Sequence, residues 1–149
     1  MNKNLSINPC MSGSGVLVEI SPTSYFNTET VSVWWDGGSI LINSVKDNVI
    51  VVRSPIREFG HISIVEVFNG PIDCIGIGFY VYDRDMYRND STIPSKKPSK
   101  REESLRSKQF VDRLAEIEKL LSKGFSAEEI QAIVKQLKGI YVVEHYLML

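Results

Sequence analysis

A chain of 149 residues has room for one domain with one core. Its 43% hydrophobic and 23% charged residues exclude wholesale disorder, and no run approaches the ~18 apolar residues of a membrane-spanning helix. The net charge of −1 excludes a strong global field.

The charge is unevenly placed. Residues 1–93 carry six bases against ten acids, and residues 94–149 carry eleven bases against eight acids. An acidic head and a basic tail suit head-to-tail self-association or an anionic partner; chance variation over a solvated surface is the plain alternative. Cys10 and Cys74 have no CxxC spacing and no neighbouring histidine, so neither a zinc site nor a redox pair is indicated. Cys74 sits in an apolar run and reads as a small buried hydrophobe. Lys3 is not followed by an apolar signal-peptide core, which points to a reducing, cytosolic setting.

Residues 1–15 hold little apolar material and are expected to be loosely ordered. The β-module is expected over residues 16–90. Residues 16–20 predict the first strand, ended by Ser21-Pro22. Residues 30–35 alternate, with Val31, Val33 and Trp35 on one face and Thr30, Ser32 and Trp34 on the other. Asp36-Gly37-Gly38 then predicts a hairpin turn, because glycine supplies the positive φ such turns need. Residues 39–45 read as the return strand, Lys46-Asp47-Asn48 as a turn and residues 49–53 as a third strand of a meander.

Residues 61–68 run close to strand period, with room for a bulge, and Asn69-Gly70-Pro71 is a turn. Residues 72–82 form the longest apolar run. Gly76 and Gly78 share one face there, marking a bend or a close backbone approach. Phe79 and Val81 are assigned to that side, and Tyr80 and Tyr82 to the other. About six strands suit a small sandwich or a partly open barrel.

Residues 91–101 are polar, basic and broken by Pro94 and Pro98, the chemistry of a linker. A helical hairpin is expected over residues 102–139. Leu105, Val111, Leu114, Ile117, Leu120 and Leu121 recur at three- and four-residue steps, and Gly124 is placed to stop the first helix. Ser126-Ala127-Glu128-Glu129 has the form of a capping box, with Phe125 and Ile130 as its hydrophobic staple. Ile130, Ile133, Val134 and Leu137 line the second helix, which Gly139 is expected to end. Residues 140–149 are too apolar to hang free and are expected to return as a strand or to pack on a partner. The fold class is α+β.

The stretch 110–137, FVDRLAEIEKLLSKGFSAEEIQAIVKQL, resembles the C-terminal helical hairpins of small bacterial proteins in which a pleckstrin-homology-like β-module precedes a long helix and such a hairpin. It is about one residue shorter at the turn, and the β-part matches only in general order. The resemblance implies a binding or oligomerisation module and carries over no functional residues.

No catalytic or cofactor motif stands out. Gly76-Ile77-Gly78 lacks a third glycine and a following helix for a nucleotide loop. Asp83-Arg84-Asp85 resembles a metal clamp but suits a charged strand end. His61, near Glu58, and His145 have no nucleophile context. The adjacent tryptophans must face opposite sides of a strand. One is core, and the other, with Tyr80 and Tyr82, would make a partner or ligand surface, giving Trp34, Trp35, Tyr80 and Tyr82 as candidates. Lys96, Lys97, Lys100, Arg101, Arg106 and Lys108 form the one dense basic run, suited to nucleic acid or an acidic partner, although no aromatics are interleaved with it. Val111, Leu114, Ile117, Leu121, Ile130, Val134 and Leu137 are the candidate oligomerisation stripe, packed either on the sheet or on a second subunit.

The expected function is a non-catalytic cytosolic binding or adaptor protein, homo-oligomeric, with a protein partner. The Ile-, Asn- and Lys-rich composition suits a phage or mobile-element protein acting on a host factor. Two alternatives stay open: a nucleic-acid-binding regulator using the basic run, and a small-molecule or nucleotide sensor, or an enzyme, with an aromatic pocket at Trp34, Trp35, Gly76, Gly78, Tyr80 and Tyr82.

Overall fold

The computed structural model describes residues 3–10, 16–58, 60–82 and 100–147, the last stretch as backbone only over 100–106 and 141–147. Eight strands and two helices follow in order: β1 Ser6–Cys10, β2 Leu17–Ser21, β3 Val31–Trp35, β4 Gly38–Ile40, β5 Ile42–Lys46, β6 Val49–Arg53, β7 Ile62–Asn69, β8 Cys74–Val81, α1 Lys100–Glu118 and α2 Ala127–Leu147. The strands form two antiparallel sheets of four, β1-β2-β6-β5 and β4-β3-β7-β8. The α+β class expected from the sequence holds, with eight strands where about six were predicted.

The two turns predicted within residues 30–53 close as two-residue hairpins. Trp35 pairs with Gly38 across Asp36 and Gly37, whose φ values are 53° and 84°. Lys46 pairs with Val49 across Asp47 and Asn48, at 52° and 62°. Two consecutive positive φ values match the right-handed twist of the flanking strands.

The predicted three-strand meander is a correction in detail. Its middle strand breaks at Leu41, so β4 joins one sheet and β5 the other. Leu41 points outward at the bend, while Ile40 and Ile42 on either side both pack on the core between the sheets. A strand that switches sheets at such a corner lets one chain segment line both walls.

The N-terminal segment does the same on the opposite side. Leu5 N–H donates to Ile77 O at 2.9 Å and Ile77 N–H to Lys3 O at 2.8 Å, and β1 then joins β2. Residues 3–10, expected to be loose, are therefore tied into both sheets. Leu5 is buried and Ile7 packs beside it against the core. Two apolar side chains at strand spacing suffice because Gly76 and Gly78 leave them room. A Cβ on Gly76 would lie 2.4 Å from Leu5 Cδ2, and one on Gly78 2.8 Å from Ile7 Cδ1. The close approach predicted for these glycines is thus made by the chain's own N-terminus. Pro9 falls on β1, an edge strand, which is where a sheet tolerates proline.

The first core lies between the sheets and holds Val18, Ile20, Val33, Trp35, Ile50, Val52, Val65, Val67, Tyr80 and Tyr82. The glycines lie on the Tyr80 and Tyr82 side, which corrects the assignment of Phe79 and Val81 to their face; strand parity alone requires it. A bulge between Val67 and Phe68 in the β7–β8 register lets Cys74 and Ile77, three residues apart, share the outer face.

The second core lies between that outer face and the helices. Ile62, Ile64, Ile77 and Phe79 meet Ile117, Leu120, Phe125, Ile133 and Leu137. β7 is buried on both faces over Ile62–Val67, as expected of a middle-layer strand.

The hairpin turn follows its sequence signals. α1 runs into a 3-10 turn over Lys119–Lys123, ended by Gly124 at φ 89°. Ser126 N–H donates to Glu129 Oε1 at 2.9 Å, and Glu129 N–H donates to Ser126 Oγ at 3.2 Å, which is the reciprocal capping box. Gly139 does not end α2, which continues to Leu147, and the expected strand or tail over 140–149 is helical over its described part. Leu137 and Ile140, on either side of the glycine, keep the apolar stripe on the second core. The linker expected over 91–101 lies outside the described residues up to position 99, and Lys100 and Arg101 open α1.

Candidate binding cleft

The four aromatic candidates are not brought together. Trp35, Tyr80 and Tyr82 form a cluster of tilted and edge-to-face rings inside the first core, with centroids 5.2 Å apart for Trp35–Tyr80 and 5.1 Å for Tyr80–Tyr82. They are therefore corrected from surface to core residues. Tyr82 uses its hydroxyl to donate to Pro55 O at 2.6 Å. Trp34 points to the other face and keeps 37% of its surface exposed.

Trp34 stays open because of where the helices sit. α1 lies over β7 and α2 over β8, which leaves the outer face of β3 and β4 uncovered. The cleft at this boundary has a volume of about 380 Å³. It is lined by Trp34 and Ser32 of β3, Glu66 and Phe68 of β7, turn backbone at Gly37 and Gly70, and Lys123 from the hairpin turn. Trp34 is directly opposite Glu66 across the β3–β7 ladder, and Ser32 is opposite Phe68. The Trp34 and Phe68 rings meet edge to face at 6.2 Å and 67°. Trp34 Nε1–H donates to Ser32 Oγ at 3.1 Å, which restrains the indole. Lys123 Nζ donates to Glu66 Oε2 at 2.6 Å.

This arrangement has apolar walls, a rigid strand floor and a few fixed charges, the usual make-up of a recognition site. Its only sequence signal beyond Trp34 is Glu66. A carboxylate at the phase of Ile62, Ile64 and Phe68 occupies a position that should be apolar. Lys123 and Phe68 carried no such signal, because their meeting depends on how the hairpin docks.

A second polar cluster sits at the far end of β3. Asp36 Oδ2 accepts from Ser63 Oγ at 2.7 Å and from Arg57 Nε at 3.3 Å, and lies 3.2 Å from His61 Nε2. Asp36 Oδ1 accepts from Ile64 N–H at 3.0 Å and lies 3.7 Å from Arg113 Nη2. Burial opposes ionisation of Asp36, but hydrogen bonds from His61, Ser63 and Ile64 and the charge of His61 outweigh it and hold the carboxyl at about 2. Arg113 Nε also donates to Ile62 O at 2.8 Å, and Gln109 Oε1 accepts from Ile62 N–H at 2.7 Å. This network staples α1 to the start of β7. Ser63 and His61 both address the same carboxylate oxygen and not each other, so the geometry is a clasp and not an activated nucleophile. Glu58 meets His61 through the backbone, His61 N–H donating to Glu58 O at 3.1 Å.

The remaining candidates divide plainly. Lys96, Lys97, Asp83 and Asp85 lie outside the described residues; Lys100, Arg101, Arg106 and His145 lie on helical backbone; Lys108 is exposed on α1. Ile117 and Leu137 are buried inside the same chain, with Leu114, Ile130 and Val134 partly buried beside them against the sheet. Val111 and Leu121 alone of the seven stay exposed. Burial raises the Cys74 thiol to about 11, which keeps it protonated and inert. Among the described residues, no three His, Cys, Asp or Glu side chains converge on a metal position, and no helix is long and apolar enough to cross a membrane.

Compared with known proteins, the chain matches no family model, no curated protein and no solved structure, and the pleckstrin-homology-like resemblance gains no support.

Proposed function

We propose that this protein is a non-catalytic binding or adaptor module that holds a protein partner in the Trp34–Phe68 cleft. The observation that carries the reading is Trp34 itself. An indole held on a rigid strand, beside a cleft and left uncovered by the hairpin, is the residue type that most often anchors an interface. Self-association belongs to the same proposal and rests on Val111 and Leu121, two large apolar side chains of the helical segment that are exposed.

A photo-crosslinking amino acid at Ser39 tests the reading. Ser39 faces Trp34 across the β3–β4 ladder and is exposed. The expected result is a discrete adduct in cells that is lost when Trp34→Ala is added. Adducts that are absent, or identical with and without Trp34, contradict the reading. For self-association, sedimentation of Val111→Asp/Leu121→Asp against wild type is decisive: the wild type sediments as the larger species, and equal masses contradict it.

A further inference from the structure

Residues 3–10 sit on the rest of the chain as a ligand sits on a receptor. The segment lies between the edges of the two sheets and is held on both sides. On one side β1 pairs with β2, from Ser6 opposite Ser21 to Cys10 opposite Leu17. On the other, Asn4 bridges Ile77 in the parallel sense, along the outer edge of β8, the last strand of its sheet. Leu5 and Ile7, two residues apart, take the space that Gly76 and Gly78 leave. Lys3 Nζ lies 4.4 Å from the centre of the Phe125 ring and 3.8 Å from Glu129 Oε2, so the segment also reaches the helical hairpin. Backbone bonds to a sheet edge, with alternate side chains in fitted pockets, is how a sheet takes up a strand from outside.

Every one of these contacts is made to chain beyond residue 16, and residues 11–15 carry the covalent connection. A terminal segment opens at a lower cost than the whole fold. The place it leaves is unstable when bare. β2 becomes an edge strand, Ile77 loses its backbone bonds to Lys3 and Leu5, and the apolar surface that buries Leu5 to 3% exposure meets water. The occupant that fits is the one already seen there, Lys3, Leu5 and Ile7 at strand spacing. A second copy of the chain supplies that sequence, and exchange restores each contact without any new complementary surface.

We propose that residues 3–10 are an exchangeable strand, traded between two copies of this chain so that each lays its Leu5 and Ile7 over Gly76 and Gly78 of the other. Each half of the dimer keeps the fold described above. The exchange is independent of the Trp34 cleft and of Val111 and Leu121.

The test uses two full-length variants, each with one half of the exchange broken. Leu5→Asp spoils the donated segment and leaves its place intact. Gly78→Val fills the place and leaves the segment intact. Native mass spectrometry is expected to show a dimer for the wild type, monomer for each variant alone and a one-to-one heterodimer when the two are mixed. A mixture that holds the two monomers and no heterodimer overturns the proposal, as do variants that each dimerise as readily as the wild type.

A covalent trap keeps the proposal testable if either variant fails to fold. Leu17→Cys places a thiol opposite the native Cys10 on the β1–β2 ladder. Mild oxidation joins the two within one chain when the segment stays at home, and between two chains when it is exchanged. The expected product is a covalent dimer whose peptide map joins Cys10 to position 17, and whose share rises with the protein concentration before oxidation. Covalently closed monomer at every concentration overturns the proposal. A wild-type dimer that Val111→Asp/Leu121→Asp abolishes, with no Cys10-to-17 link between chains, assigns association to the hairpin and overturns the exchange.

Discussion

Asp36 is the residue on which the polar cluster at the end of β3 converges. Its position was legible as a turn, from the Asp-Gly-Gly run, but its side-chain role was not, because the donors come from residues 57, 61, 63, 64 and 113. The carboxyl titrates at about 2 in the folded protein, against 3.8 ordinarily. A folded value below the unfolded one means that the stabilisation is complete above the unfolded value and is lost as the pH falls through the folded one. Asp36→Asn should therefore flatten the acid dependence of stability between about pH 4 and about pH 2, read by urea unfolding across that range; an unchanged slope would contradict the clasp. Gly78 makes a second residue-scale prediction. A Cβ there meets Ile7 Cδ1 at 2.8 Å and Leu5 Cβ at 3.1 Å. Gly78→Val should destabilise by about 1–3 kcal/mol through overpacking, and deleting residues 1–7 should remove most of that penalty. A double-mutant comparison of unfolding midpoints checks it.

At the scale of elements, the helical hairpin was the most readable part of the sequence. Its signals are local: the i, i+3, i+4 stripe, Gly124, and the Ser126–Glu129 box lie within a few residues of what they control. The misreading of Gly139 has the same cause in reverse. Glycine costs a helix about 1 kcal/mol, but that cost ends a helix only when nothing beyond it is worth burying. Ile140 packs on the second core and carries α2 through. A Cβ at Gly139 meets nothing within 4 Å, so Gly139→Ala should stabilise by about 0.5–1 kcal/mol, seen as a raised urea midpoint with an unchanged m-value. Destabilisation there would mean that α2 does break at this point. The strands were found but their partners were not, because pairing is set by distant chain. The split of the expected strand 39–45 between two sheets has no marker except Leu41, an apolar residue on the outward phase.

For the whole molecule, three layers explain what the aromatic residues do. The sheet β4-β3-β7-β8 is the middle layer, with the other sheet on one side and the hairpin on the other. A four-stranded sheet is wider than the strip that the two helices cover, so β3 and β4 keep an open outer face, and Trp34 and Phe68 sit on its boundary. The sequence showed that the tryptophans must part. It could not say which was core, since that depends on the face the hairpin takes. The direct measurement is acrylamide quenching of the single-tryptophan variants Trp35→Phe and Trp34→Phe. Trp34, alone in Trp35→Phe, is expected to be quenched several-fold more readily than Trp35, alone in Trp34→Phe. Equal quenching, or a Trp34 that is the better protected of the two, would contradict an open cleft and with it the binding surface.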